Sequence, residues 1–132
     1  MSEIYDQAVK DLAAVEAVRL DAPDRSASQD NPLCGDKVIL DLKVAEGRVT
    51  DLGRKVSGCL LCKAAATVLS SHAGGLDAAA ASGLLDQTRA MLKEGAAPPF
   101  PDLAVFLPVR GHKSRHDCVL LPFKALVKAL KI

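Results

Sequence analysis

The sequence predicts an α+β fold, with a small antiparallel sheet of two or three strands and helices packed mainly on one face. Three observations carry this expectation. The stretch 37–44, KVILDLKV, alternates apolar and polar residues and meets a second extended stretch, 48–56, through Glu46-Gly47. So short a connection permits only an antiparallel pair. Stretches of helical periodicity lie on both sides of this hairpin, at 3–20, 59–72, 82–94 and 119–132. Finally, 49% of the 132 residues are hydrophobic but only one Tyr and three Phe are aromatic, so Leu, Val, Ile and Ala must build the core. A chain of this length suits one domain burying about two thirds of its unfolded surface.

Taken in order, Ile4, Ala8, Leu12, Val15 and Leu20 recur near helical spacing, with Ser2 available as an N-cap. Residues 21–30, DAPDRSASQD, are polar and read as a loop. In 37–44 the residues Val38, Leu40, Leu42 and Val44 share the buried face, and Asp41 and Lys43 the other. After Ser57-Gly58 the Ala- and Leu-rich run 59–72 is a helix stopped by Gly74-Gly75. A short helix over 76–81 and a second over 82–94, capped by Ser82, follow. Four of the seven prolines fall in 95–108, which reads as a loop with an extended piece. In the last helix, 119–132, Leu120, Phe123, Val127 and Leu130 form the apolar face, and Lys124, Lys128 and Lys131 the wet one. Pro122 is placed in its first turn, where a missing N–H is harmless. No internal repeat is present.

Charge and hydropathy exclude several functions. Seventeen basic and sixteen acidic residues leave a net charge of +1, so no global field attracts nucleic acid or an anionic membrane. The basic stretch RGHKSRH (111–116 with Arg110) has no interleaved aromatics for base stacking, and reads as a solvated loop that docks an acidic partner patch or screens nearby thiolates. No segment is apolar over a membrane-spanning length, and the N-terminus does not open a signal peptide, so a cytoplasmic location is expected. His72 is placed to complement a helix dipole. No phosphate loop, Ser–His–Asp order or paired-carboxylate signature emerges.

In a reducing compartment the four cysteines stay thiols unless they hold metal or do chemistry. Cys34 lies on a loop before a strand, Cys59 at a strand-to-helix junction, and Cys118 where the last helix opens. Helix N-termini stabilise thiolates, the form that binds soft metals and attacks sulfur. Cys59 and Cys62 form a CxxC whose sulfurs, at i and i+3 on a helix, could meet one metal. A thioredoxin-like redox pair is the rival, although no βαβ unit precedes it. For Cys62, flanked by Leu61 and Ala65, burial is favoured.

Asn31-Pro32 with Cys34-Gly35-Asp36, Gly58-Cys59 opening a helix that contains Ala64-Ala65-Ala66, and Arg115 three places before Cys118 resemble the IscU/SufU (NifU-like) family of iron–sulfur cluster scaffolds. Leu120 and the run from Pro122 to Leu126 resemble the family's closing helix. The resemblance implies that Cys34, Asp36, Cys59 and Cys118 converge on one site holding zinc or a nascent [2Fe–2S] cluster. Thiolates suit both, and Asp36 adds a weaker oxygen donor that can let go. As a turn former after glycine, Asp36 also has a purely local reading.

The long separation of Cys59 and Cys118, with its extra length around the proline-rich loop, is similar to SufU-type members. In that mode Cys118 accepts persulfide sulfur. The implied partners are a cysteine desulfurase, apo iron–sulfur acceptor proteins and a chaperone. Departures are Asp117 in place of a histidine directly before the last cysteine, with His116 one position earlier and able to swing in, and the additional Cys62. Leu107-Pro108-Val109-Arg110 bears a faint likeness to a chaperone-binding motif. The segment before Asn31 is short and poor in strand residues, leaving the family's first strand missing or clipped. The expected function is a scaffold that binds iron and desulfurase-derived sulfur and transfers a [2Fe–2S] cluster. The alternatives are a zinc-dependent sulfurtransferase and a structural zinc-binding protein.

Overall fold

The computed structural model describes residues 6–132. Three antiparallel strands, β1 (Arg25–Asn31), β2 (Asp36–Ala45) and β3 (Arg48–Ser57), form one sheet in the order β1-β2-β3. Helices α1 (Gln7–Ala13), α2 (Leu60–His72), α3 (Ala78–Glu94) and α4 (His116–Leu130) accompany it. Val38, Leu40 and Leu42 of β2 are fully buried on one face, as the alternation predicts. Against that face lies α4, which touches β1, β2, α2 and α3 and is therefore buried around most of its circumference. Its Leu120, Phe123 and Leu130 are joined in the core by Val119, Leu121, Leu126 and Ala129. The tight β2–β3 turn has positive φ at both Glu46 (54°) and Gly47 (76°), the geometry that matches strand twist in a two-residue hairpin.

The structure corrects several sequence expectations. Residues 25–31 are a strand, not loop: they pair from Arg25↔Leu42 to Asn31↔Asp36. RSASQDN has little intrinsic strand preference, and pairing to the apolar β2 with Ala27 packed into the core overrides it. The first strand is thus present. Helix α1 ends at Ala13 instead of near residue 20, and Asp6 caps it by accepting from the Val9 N–H. Ser2 lies outside the described residues. The segment after α1 is needed elsewhere. Val18 C=O accepts from Arg54 N–H at the edge of β3, and Leu20 runs so close to Gly53 that a Cβ there would lie 2.5 Å from the Leu20 nitrogen.

That crossing buries a charge. Asp41, placed on the polar face by the alternation, is fully buried. Its carboxylate accepts from Arg19 Nε at 2.6 Å and Nη2 at 2.9 Å, from the Leu20 N–H at 3.2 Å and from Ser26 Oγ at 2.7 Å. The pair of bonds from one guanidinium is the strong bidentate form.

Residues 76–94 are not two helices. Asp77 caps a single helix by accepting from Ala80 N–H, and Gly95 ends it at φ 75°. Residues 101–111 form a 3₁₀ run where a loop was expected, and its buried Leu103, Phe106 and Val109 follow the three-residue period of that helix. Helix α4 begins at His116, earlier than predicted, so Pro122 sits in its interior and not its first turn. There it removes the N–H that would bond the Cys118 carbonyl.

Candidate metal centre

Three chain junctions meet at one end of the sheet. The first is the turn between β1 and β2, where the Asn31 carbonyl accepts from Cys34 N–H (3.2 Å) and Gly35 N–H (2.8 Å) and Gly35 takes φ 73°. This turn leaves Cys34 exposed and makes Asp36 the buried first residue of β2. The second is Cys59, half-buried at the N-cap of α2. The third is Cys118, buried in the first turn of α4.

Cys34 Sγ, a carboxylate oxygen of Asp36 and Cys118 Sγ lie within 4.8 Å of one another, with the two sulfurs 3.8 Å apart. Two thiolates on one tetrahedral ion, with bonds of about 2.3 Å, stand about 3.8 Å apart. Cys59 reaches the group from the Asp36 side, its Sγ 3.8 Å from Asp36 Oδ2 while its N–H donates to Asp36 Oδ1 at 3.0 Å. Gly58 makes this approach possible, because a Cβ there would lie 2.3 Å from Asp36 Oδ1. The glycine before Cys59 is thus set by the carboxylate next to Cys34. That constraint links residues far apart in the chain and is invisible in the sequence.

Burial pushes the Cys118 thiol up, and hydrogen bonding to Asp36 together with the neighbouring Cys59 and Cys34 adds to the shift. A cation among these four donors reverses that logic by supplying the opposite charge. The donor set, two sulfurs and one carboxylate with the Cys59 sulfur beside the carboxylate, suits zinc or iron–sulfur and is too soft for magnesium or calcium. The residues present fit such a group.

Other candidates fall elsewhere. Cys62 is fully buried among core residues, and burial pushes its thiol up as well. His116 does not swing toward Cys118. Its Nε2 donates to the carbonyls of Val109 and Arg110, both at 3.1 Å, tying α4 to the preceding 3₁₀ run. Asp117 pairs with Lys124 at 3.3 Å. His72 lies in the last turn of α2, where it was expected, and there it stacks on Phe100 with centroids 3.9 Å apart and pairs with Asp102 at 2.8 Å.

A three-stranded antiparallel sheet under a layer of helices, with cysteines and an aspartate from three junctions meeting at one end, defines an α+β protein with a thiolate–carboxylate metal-binding geometry. The chain belongs to the NifU-like N terminal domain family, whose sequence profile matches residues 14–99. It is 32% identical to the N-terminal part of a NifU-like nitrogen-fixation protein from Brucella abortus. That crystal structure superposes with a TM-score of 0.86, covering 97% of this chain and 92% of the other. It is 25% identical to the iron–sulfur cluster assembly scaffold protein IscU of Thermotoga maritima, over 97% of this chain and 93% of the relative. A SufU protein of Fervidobacterium islandicum AW-1, 22% identical, shares the fold with a TM-score of 0.86 over 96% of both chains. The IscU/SufU (NifU-like) resemblance and the α+β expectation are both borne out.

Proposed function

We propose that this protein is a cytoplasmic scaffold on which a [2Fe–2S] cluster is built from iron and desulfurase-derived sulfur and then passed to apo acceptor proteins. The observation that supports this reading most is the convergence of Cys34, Asp36 and Cys118, with Cys59 beside them, from distant parts of the chain. In this reading the cluster is cargo. The thiolates hold it, and Asp36 supplies the weaker donor whose departure allows release. Exposed Cys34 leaves one side of the site open to partners, while Cys118 anchors it from within α4. The partners are a cysteine desulfurase, apo acceptors and a chaperone. Among the described residues no helix is long and apolar enough to cross a membrane.

A second reading, a zinc-dependent sulfurtransferase, is supported by the 3.8 Å Sγ–Sγ separation, which suits two thiolates on a tetrahedral zinc as well as on one iron of a cluster. Here the Cys118 thiolate attacks the outer sulfur of the desulfurase persulfide. A new S–S bond forms on Cys118, the donor's S–S bond breaks, and the donor cysteine leaves as thiolate.

Anaerobic reconstitution with iron and sulfide separates the two readings. The scaffold is expected to develop the visible absorption of a [2Fe–2S] centre and to lose it to an added apo acceptor. A colourless protein that raises the turnover of a desulfurase would favour sulfur transfer. A colourless protein without effect on the desulfurase would leave only a structural zinc role.

A further inference from the structure

Away from the thiols, a pocket of about 200 Å3 opens between β3, the N-terminal half of α2 and the segment 13–17. Its lining includes Arg54 and Val56 from β3 and Lys63 and Thr67 from α2. Arg54 projects from the helix-covered face of β3, since it pairs in register with the buried Leu40. Its guanidinium donates to Ser70 Oγ at 3.1 Å and Thr67 Oγ1 at 3.3 Å. Both hydroxyls have already given their own protons to backbone carbonyls of α2 or Leu12, so they can only accept from Arg54. The guanidinium is therefore held in a fixed orientation.

What it lacks is a counter-charge. Among the described residues no carboxylate forms an ion pair with Arg54 or with Lys63. This contrasts with Arg19 on the outer face, which is paired twice over to Asp41. A half-buried guanidinium aimed by two hydroxyls, beside a half-buried lysine and without an acid, keeps donors and charge available to an anion. Burial alone shifts the Arg54 guanidinium, downward, as expected where no acid offsets desolvation.

We propose that this pocket binds a small oxyanion, a phosphate or the phosphoryl group of a small molecule, with Arg54 as the forked donor and Lys63 as the second charge. Arg54's planar fork matches phosphate oxygens, and a pocket of this volume has room for such a group. The side chains of Ala13, Val15 and Ala17 are apolar, so the charge that attracts the ligand comes from the two cations.

Isothermal titration with inorganic phosphate, at ionic strength held constant with chloride, tests this directly on the whole chain. Saturable one-to-one binding is expected, weakened at least tenfold by Arg54→Gln and several-fold by Lys63→Met. Lys63→Met keeps the test valid if Arg54→Gln disturbs the β3–α2 contact. Parallel titrations with a phosphomonoester separate the sources. Tighter binding than inorganic phosphate identifies an organic phosphate ligand, and equal binding identifies the free ion. No saturable heat with either probe, or binding that both variants leave unchanged, overturns the proposal.

Discussion

Cys118→Ser is expected to abolish stable cluster formation, so that reconstitution yields no visible absorption above the untreated protein. The substitution replaces a sulfur by an oxygen whose proton is not released near neutral pH, and a neutral hydroxyl is a poor ligand for iron or zinc. Cys118 is buried, and its sulfur lies 3.8 Å from that of Cys34, so no other donor from α4 can take its place. Asp117 points instead to Lys124, and His116 is tied to the preceding 3₁₀ run. The fold itself should persist. A serine hydroxyl at this position costs about 1–3 kcal/mol at most if it finds no partner, a fall of several degrees in the thermal midpoint. Loss of the chromophore with circular dichroism retained is the outcome to look for.

The second large effect concerns stability. Asp41→Ala removes the acceptor for Arg19, Ser26 and the Leu20 N–H at once. Hydrogen bonds to a charged acceptor contribute about 1.5–3 kcal/mol each, and the loss here should reach about 2–3 kcal/mol once the partners regain water. Urea unfolding at neutral pH measures it as a lower midpoint. The pH dependence has a definite sign. The Arg19 hydrogen bonds outweigh burial and hold the Asp41 carboxyl below its ordinary value. A carboxylate depressed in the folded state stabilises above its unfolded pKa of about 3.9, and that contribution is lost as pH falls through the folded value. The gap between wild type and Asp41→Ala should therefore be full at pH 7 and shrink below about pH 4.

Much of this architecture was legible in the residues. KVILDLKV and the Glu46-Gly47 turn specified the hairpin because alternation and turn chemistry are both local signals. The positions of Cys34, Cys59 and Cys118 at element boundaries were legible for the same reason. What could not be read depends on partners distant in sequence. β1 becomes a strand only by pairing with β2, since RSASQDN carries no strand signal of its own. Asp41 alternates as a surface residue and is buried only because residues 18–20 cross above it. The 3₁₀ run near the prolines shows a period of three instead of 3.6, so a search for α-helical spacing passes over it. At the site, the matching of Gly58 to Asp36 and the turning away of His116 are facts of three-dimensional contact alone.

The central claim is that Cys34, Cys59 and Cys118 share one metal or cluster. It is tested most directly by mapping alkylation of each cysteine in protein purified without chelator, before and after chelation, alongside metal analysis. The account predicts that Cys34, Cys59 and Cys118 are protected together and become reactive together when metal is removed. Cys62, sealed in the core, should stay unreactive in both states until the protein unfolds. Reactivity of the three that is independent of metal, or that changes at one cysteine without the others, would contradict it.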